Sequence, residues 1–141
     1  MNVLAPGKRT MHTICPALAL KDGKPVMAWN TPGGDNQPQA MLQAFLNVVE
    51  FGMNVQQALE TARFTIHPER GCNIFIESRV KPEVIEKLST KGHNLHVQKE
   101  YSTSMGRGNA VLHDSKANIN YGGSDARADG SAEAEPPPFL H

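Results

Sequence analysis

A glycine pair joins a strand-like run to a helix-like run, and this junction limits the folds open to the chain. The strand-like run covers residues 25–29, the junction is Thr31-Pro32-Gly33-Gly34, and the helix-like run covers residues 40–51. Glycine lets backbone N–H groups face a ligand without a Cβ in the way. A helix start adds unpaired donors and the positive end of the helix dipole. The junction therefore suits an anion or a developing oxyanion. The alternative is a tight turn that only requires glycine, because short glycine motifs also occur by chance.

Composition excludes several classes of protein. The 141 residues are enough for about one domain with a real core. Fourteen basic residues balance fourteen acidic ones, and no basic block is present, so nucleic-acid binding is not predicted. No apolar run approaches the length of a membrane span. The first nine residues lack the arrangement of a signal peptide. The chain is therefore predicted to be soluble and without a targeting signal, and no compartment is assigned.

The first half of the chain reads as two strands and two helices. Residues 12–20 have strand character interrupted at Pro16. Asp22-Gly23 predicts a tight hairpin whose return strand is 25–29. Helix 40–51 has Asp35 or Asn36 as its cap. Helical spacing predicts that one stripe of this helix is buried, namely Met41, Leu42, Phe45, Leu46 and Val49. A second helix begins at Asn54, with Gln57 as capping-box partner.

The second half mixes both kinds of element. Residues 64–72 are predicted as a loop, 73–77 as a strand, 80–91 as a helix and 94–97 as a short strand. A polar, mobile segment at 100–108 precedes a hairpin over 110–121. The pattern predicts an α+β fold in which helices cover an antiparallel sheet. Residues 1–132 form the folded part, and 133–141, with three consecutive prolines, form a disordered tail.

Side chains that carry chemistry are sparse. Cys15 and Cys72 make neither a disulfide framework nor a four-ligand zinc site. His93 and His96 follow a helix end, and in an extended segment they face opposite sides, so no metal site is predicted. No cofactor motif is present.

Two polar clusters remain without an assigned reaction. Ser102, Thr103 and Ser104 form a hydroxyl cluster that no base accompanies in sequence. Asp125 and Asp129 flank Arg127 and are predicted to order a loop by ion pairing, which contributes little if exposed.

Five segments together resemble the γ-glutamyltransferase family, in order and spacing, up to about residue 132. They are Pro6-Gly7-Lys8-Arg9 leading to Pro16; Thr31-Pro32-Gly33-Gly34 with Leu42-Gln43 and Asn47; Phe51-Gly52-Met53 through Ala58 and Ala62-Arg63-Phe64; Gly92-His93; and Gly122-Gly123-Ser124-Asp125-Ala126-Arg127-Ala128-Asp129-Gly130. The resemblance implies an N-terminal-nucleophile hydrolase with an αββα core, made from a precursor that cleaves itself into a large and a small subunit. Its nucleophile is the threonine that begins the small subunit, with its own amine as base. By position, Gly33 and Gly34 resemble the oxyanion hole.

Two departures from the family pattern qualify what the resemblance implies. The nucleophilic threonine of the family precedes the matching region, so no nucleophile is predicted in this chain. It resembles the C-terminal part of a small subunit, whose partners are the rest of that subunit and the large subunit. His12 and Thr13 stand where members carry two serines that hold the substrate α-carboxylate, which indicates a divergent branch and leaves glutathione open as substrate.

The function expected from this resemblance is hydrolysis or transfer of γ-glutamyl or related amides through an acyl-enzyme. The alternatives are a non-catalytic remnant or interaction module of the same fold, and a phosphate-binding loop at Gly33-Gly34. The last lacks the lysine of a P-loop.

Overall fold

The structure, a computed structural model, describes residues 3–134 and contains two sheets and three helices in that range. In chain order the elements are β1 (Ala17–Lys21), β2 (Lys24–Asn30), α1 (Gln37–Val49), α2 (Val55–Glu60), β3 (Phe64–Ile66), β4 (Asn73–Glu77), α3 (Pro82–Thr90), β5 (Asn94–Gln98), β6 (Asn109–Asp114) and β7 (Ile119–Ser124). The predicted α+β class is confirmed. None of the helices formed by residues 3–134 has the length and apolar character needed to cross a membrane.

The first sheet is antiparallel and has the order β1-β2-β6-β7. Asp22 and Gly23 close the β1–β2 hairpin with φ angles of 52° and 75°, the left-handed conformation that a tight hairpin turn requires. This hairpin was predicted, as was the β6–β7 hairpin. The first strand begins only at Ala17 rather than at residue 12, because Pro16 has no N–H to donate to the ladder.

The second sheet has the order β3-β4-β5 and departs from the prediction in two ways. Strands β3 and β4 are antiparallel, but β4 and β5 are parallel, because α3 connects them as a crossover helix. The purely antiparallel sheet that was predicted therefore holds only for the first sheet. The predicted loop at 64–72 is also wrong at its start, where the β-prone residues of Phe64–Ile66 pair with β4.

Helix α1 joins the two sheets through the side-chain amides of Gln39 and Gln43. The Gln39 side chain accepts from Ile66 N–H at 2.9 Å and donates to Ile66 O at 2.8 Å. Gln43 does the same with Phe64, at 3.1 and 2.9 Å. These bonds satisfy backbone groups on the outer edge of β3 and so protect that edge from pairing with another strand.

The core lies between the first sheet and the helices. It is built from buried side chains of β2, α1, α2 and β6, namely Met27, Ala44, Val55, Leu59 and Ala110. Trp29 stacks on Phe45 with ring centroids 5.2 Å apart, and its indole N–H donates to Met41 O at 3.1 Å. The helix therefore contacts the sheet through aromatic stacking and through small side chains that allow close approach.

The predicted buried stripe of α1 is partly wrong. Met41 is buried, but three other members of the stripe are exposed: Leu42, Leu46 and Val49. The buried face instead includes Ala40 and Ala44, because close packing on the sheet selects small residues. Leu42 and Leu46 line an apolar groove, together with Phe51 and Phe64. Periodicity identified the helix correctly but did not identify the face that the sheet covers.

The two helix caps had different outcomes. The capping box at α2 is confirmed, with Asn54 Oδ1 accepting from Gln57 N–H at 2.8 Å and Gln57 Oε1 accepting from Asn54 N–H at 3.1 Å. The predicted cap of α1 is confirmed in its position but not in its side-chain hydrogen bond. Asn36 occupies the N-cap position but makes no side-chain cap bond, and its amide donates to Ser104 O instead.

The predicted tail at 133–141 lies outside the described residues from position 135 onward. The disorder of that tail and the domain boundary at 132 therefore stay predictions.

Candidate functional site

The glycine turn (residues 31–36) lies between the end of β2 and the start of α1. Gly33 has φ 150° and ψ 18°, and Gly34 has φ 56°. Both angles lie in the region that side chains with a Cβ rarely adopt, so the turn depends on glycine at both positions. Both glycines are exposed. A short 3-10 turn, Gly34–Asn36, then leads directly into α1.

Two adjacent backbone donors of this turn are free. Asn36 N–H donates to Gly33 O at 3.1 Å, which turns that carbonyl inward. The Gly33–Gly34 peptide is trans, so the Gly34 N–H points away from that carbonyl. Within residues 3–134, neither the Gly33 N–H nor the Gly34 N–H donates a hydrogen bond. Two neighbouring free donors beside a helix start are a suitable site for an anion or oxyanion.

His12 and Thr13 lie in the extended segment that leads into β1. Ala17 pairs with Trp29 at the junction of β1 and β2, so the residues before β1 and the residues after β2 emerge at the same end of the sheet. Both side chains are exposed. In the part of the chain that the structure describes, no hydrogen bond joins either residue to the glycine pair. The topology places them at the same end of the sheet without a direct contact.

A buried ion-pair cluster of four residues lies beneath the loop at 102–108. Arg63 Nη1 lies 2.7 Å from Asp125 Oδ2. Arg127 Nη2 lies 2.6 Å from Glu77 Oε2, and its Nη1 lies 2.9 Å from Asp125 Oδ1. No side chain of the four is more than 2% exposed. The ion pair predicted between Asp125 and Arg127 therefore forms in the interior, whereas Asp129 is exposed.

The pKa shifts of the cluster follow from burial and from the hydrogen bonds and opposite charges that counteract it. Burial is the main reason that the pKa of Arg63 is lowered, although the charge of Asp125 opposes it. For Arg127, burial also acts to lower the pKa, but the hydrogen bond to Glu77 and the charge of Asp125 outweigh it, and the pKa is raised. Burial acts to raise the pKa of Glu77, yet bonds from Arg127 and from the Arg63 N–H leave it lowered.

Every carboxylate oxygen of the cluster is occupied. Glu77 Oε1 accepts from Arg127 Nε and from Ser102 N–H, both at 2.8 Å. Its Oε2 accepts from Arg63 N–H at 3.0 Å as well as from Arg127. The Asp125 oxygens accept from both arginines and from the Gly108 N–H at 3.1 Å. Carboxylates with all their oxygens engaged order the structure and are not free to act as a base.

Sequence reasoning did not find Arg63 and Glu77 as members of this cluster. The available signal was weak: Glu77 ends the apolar strand β4, in phase with Phe75, and Arg63 separates the buried end of α2 from β3. A charged residue that closes an otherwise apolar strand indicates a buried partner. Its partner, however, lies 50 residues away in sequence, so spacing could not identify it.

The 102–108 loop is more buried than its polar sequence predicts. Met105 is fully buried, and Ser102 is only 6% exposed. The Ser102 and Ser104 hydroxyl oxygens lie 2.9 Å apart, so two members of the hydroxyl cluster bond to each other. Among residues 3–134, no group of three or more His, Cys, Asp or Glu side chains is arranged to hold a metal ion.

Comparison with known proteins gives the family. The family model described as gamma-glutamyltranspeptidase matches residues 1–135. The glutathione hydrolase-like YwrD proenzyme of Bacillus subtilis is 35% identical over 135 residues, which cover 94% of this chain and 26% of that protein. The oxamate amidohydrolase proenzyme of Klebsiella pneumoniae is 32% identical over 133 residues, covering 92% and 25%. The crystal structure of cephalosporin acylase from Bacillus halodurans superposes with a TM-score of 0.84 at 31% identity, covering 95% and 24%.

The matched region covers nearly all of this chain but only part of each relative. The chain spans about a quarter of the length of the curated relatives it matches, and the family model covers nearly all of the chain. The glycine turn and the closing segment that contains Asp125 and Arg127 both lie within the matched residues. The chain therefore belongs to the γ-glutamyltranspeptidase family.

Proposed function

We propose that this chain forms part of an N-terminal-nucleophile hydrolase that hydrolyses or transfers the acyl group of γ-glutamyl or related amides through an acyl-enzyme. In this proposal the chain supplies the oxyanion hole, formed by the N–H groups of Gly33 and Gly34. The observation that carries it is the pair of free, adjacent donors beside the start of α1. Donors fixed before the reaction stabilise negative charge at the moment it develops, without reorganisation.

The reaction follows from ordinary acyl-transfer chemistry. A nucleophile adds to the amide carbonyl, and the negative charge that forms on the oxygen is held by the two glycine N–H groups. Expulsion of the amine gives the acyl-enzyme, which water or a second amine then cleaves. We assign the nucleophile to an N-terminal threonine outside these 141 residues, with its own amine as general base. The full engagement of Glu77 and Asp125 in ion pairs is consistent with a base that comes from elsewhere.

His12 and Thr13 are proposed to contact the substrate. They are exposed and precede β1 at the end of the sheet from which the glycine turn also emerges. A hydroxyl and an imidazole N–H are both donors suited to a carboxylate. The relatives of the chain include a glutathione hydrolase, an oxamate amidohydrolase and a cephalosporin acylase. We therefore propose a divergent branch whose acyl group is γ-glutamyl or a related carboxylate-bearing group.

An αββα sandwich is proposed for the complete enzyme, with this chain providing part of it. One face of the first sheet packs on helices, whereas the opposite face exposes Leu18 and Val111, which pair with Ala28 from either side and are 60% and 46% exposed. An apolar sheet face of this kind is normally covered by a second layer. We propose that the rest of the small subunit and the large subunit of the same precursor cover it.

A matched pair of glycine substitutions tests the oxyanion hole in the complete enzyme. Gly34→Val should lower kcat for a γ-glutamyl anilide by about a hundredfold or more, the scale of losing one oxyanion donor. Gly52→Val is the control, because Gly52 has a similar φ of 64° and, like Gly34, leaves open space where a Cβ would stand. A Gly34→Val enzyme as active as the Gly52→Val enzyme would show that the glycine turn only reverses the chain.

The source of the nucleophile is tested separately. A reading frame that continues through Met1 from a threonine-led small subunit supports the assignment. Hydrolysis of the anilide by the 141-residue chain alone would contradict it. A complete protein that folds but hydrolyses no γ-glutamyl or related amide would favour the non-catalytic alternative.

A further inference from the structure

We propose that the 102–108 loop holds the glycine turn in its working geometry, with Thr31 and Asn36 as positioning residues. The proposal rests on the proposed function, because it concerns the direction in which the Gly33 and Gly34 N–H groups point. Both positioning side chains are buried, with exposures of 5% and 0%. Neither presents its polar atoms at the surface, so both act through the backbone of the glycine turn.

The direction of each free N–H is set by the carbonyl in the same peptide plane. In a trans peptide the C=O and the N–H point in opposite directions, and the described chain contains no cis peptide bond. The Thr31 hydroxyl donates to Pro32 O at 3.0 Å, and Asn36 N–H donates to Gly33 O at 3.1 Å. Holding these two carbonyls inward directs the Gly33 and Gly34 N–H groups outward.

Thr31 also ties the glycine turn to the 102–108 loop. Its hydroxyl oxygen accepts from the Arg107 N–H at 2.7 Å while donating to Pro32 O. A Cβ on Gly106 would stand 2.5 Å from that oxygen, so the loop approaches the turn as closely as a glycine permits. The Arg107 N–H fixes the position of the hydroxyl oxygen, which leaves its hydrogen to bond the Pro32 carbonyl.

Asn36 makes a second tie between the same two segments. Its Nδ2 donates to Ser104 O at 3.3 Å, and a Cβ on Gly33 would stand 3.4 Å from this nitrogen. Its Oδ1 is buried and has no hydrogen-bond partner in the described part of the chain. A buried amide with one unsatisfied oxygen is unfavourable for stability, so stability alone does not explain asparagine at this position.

Three other backbone groups of the loop bond to the ion-pair cluster. Glu77 accepts from Ser102 N–H, Arg63 donates to Met105 O, and Asp125 accepts from Gly108 N–H, at 2.8, 3.0 and 3.1 Å. The loop is thus fixed to the interior at both ends and at its centre. It transfers that rigidity to the glycine turn through Thr31 and Asn36.

The test uses the complete enzyme and a substitution of unchanged shape. Thr31→Val removes the hydroxyl, and we expect kcat for a γ-glutamyl anilide to fall by about tenfold to a hundredfold with KM nearly unchanged. Thr31→Ser should restore most of kcat, because it keeps the hydroxyl. Thr65→Val is the matched control: Thr65 is equally buried, but its hydroxyl has no partner among the described residues, so kcat should not change.

Asn36→Leu separates positioning from stability. Leucine has the same number and branching of heavy atoms as asparagine and removes both the unsatisfied oxygen and the bond to Ser104 O, so the melting temperature should stay close to the parental value while kcat falls. A fall in kcat that only accompanies a fall in melting temperature would contradict the proposal. An unchanged kcat in Thr31→Val would also contradict the proposal. The same holds if Thr31→Val loses activity and Thr31→Ser loses it to the same extent.

Hydrogen exchange separates this proposal from the proposed function. The Arg107 amide should exchange slowly in the parent and Thr65→Val proteins, and faster in Thr31→Val, because its acceptor is gone. If the parent enzyme hydrolyses no γ-glutamyl amide, the proposed function fails, and the Arg107 amide still decides whether Thr31 holds the loop. Unchanged exchange at Arg107 in Thr31→Val would overturn the positioning role even in an active enzyme.

Discussion

The ion-pair cluster and the glycine turn both bond to the 102–108 loop, and their polar groups are used in opposite ways. In the cluster, every oxygen of Glu77 and Asp125 accepts a hydrogen bond from within the chain. In the turn, the N–H groups of Gly33 and Gly34 donate to no other group of residues 3–134. Saturation of buried charge serves folding, whereas donors left free at the surface are available to a ligand.

Because of this difference, we expect substitutions in the cluster and substitutions at the two glycines to affect different properties of the protein. Changes in the cluster should reduce the stability of the fold first, because they strand charge in the interior. Changes at Gly33 and Gly34 should affect acyl transfer first, because both glycines are exposed and contribute little packing.

Arg127→Met should be the most destabilising of the substitutions considered. It leaves Glu77 and Asp125 without their shared partner in the interior, and breaking a buried ion pair on one side costs about 3–5 kcal/mol. Denaturant unfolding of the complete enzyme measures the loss. A loss below about 1 kcal/mol would show that the cluster is no more important to folding than an exposed ion pair.

Arg79→Met is the matched control for that measurement. Arg79 also donates to Glu77 Oε2, at 3.0 Å, but it is 20% exposed and lies over the Tyr101 ring. Its removal leaves Glu77 with all its other donors, so the expected loss is about 1 kcal/mol or less. Equal losses of unfolding free energy for Arg127→Met and Arg79→Met would contradict the distinction between a buried cluster residue and a partly exposed neighbour of the cluster.

The pH dependence of stability should reveal Glu77. Its pKa in the folded chain lies below the ordinary value of 4.5, so ionised Glu77 contributes stability above that pH. The contribution is lost as the pH falls below 4.5 and through the pKa of the folded state. The unfolding free energies of the parent and of Glu77→Gln should therefore differ most near neutrality, by about 3 kcal/mol. The difference should shrink on acidification, and a difference independent of pH would contradict this assignment.

The sequence predicted local features of the fold better than long-range ones. The Asp22-Gly23 hairpin and the Asn54 capping box each depend on a few neighbouring residues, and both are confirmed. The parallel pairing of β4 and β5 was missed, as was the strand at Phe64–Ile66. Strand pairing depends on partners that are distant in sequence, and a three-residue strand beside a proline and a glycine has too short a pattern to distinguish from a loop.

The candidate site likewise has a local part that the sequence could indicate and a long-range part that it could not. Gly33 and Gly34 could be singled out as a candidate site because a glycine pair between a strand and a helix indicates backbone angles that residues with a Cβ rarely adopt. The partners of the turn could not, because Thr31 and Asn36 bond to residues 107 and 104, some seventy positions later. A polar segment such as 102–108 reads as a mobile loop until the buried groups that bind its backbone are known.

Gly34→Ala should have only a small effect on stability, close to that of Gly52→Ala. Both glycines have a left-handed φ, 56° and 64°, and a Cβ at either position meets nothing within 4 Å. Each substitution should therefore cost only the backbone strain of about 1 kcal/mol, measured by denaturant unfolding. A much larger loss at Gly34 than at Gly52 would mean that the turn also stabilises the fold. The glycine turn and the ion-pair cluster would then differ only in how much they stabilise the fold, because both would contribute to its stability.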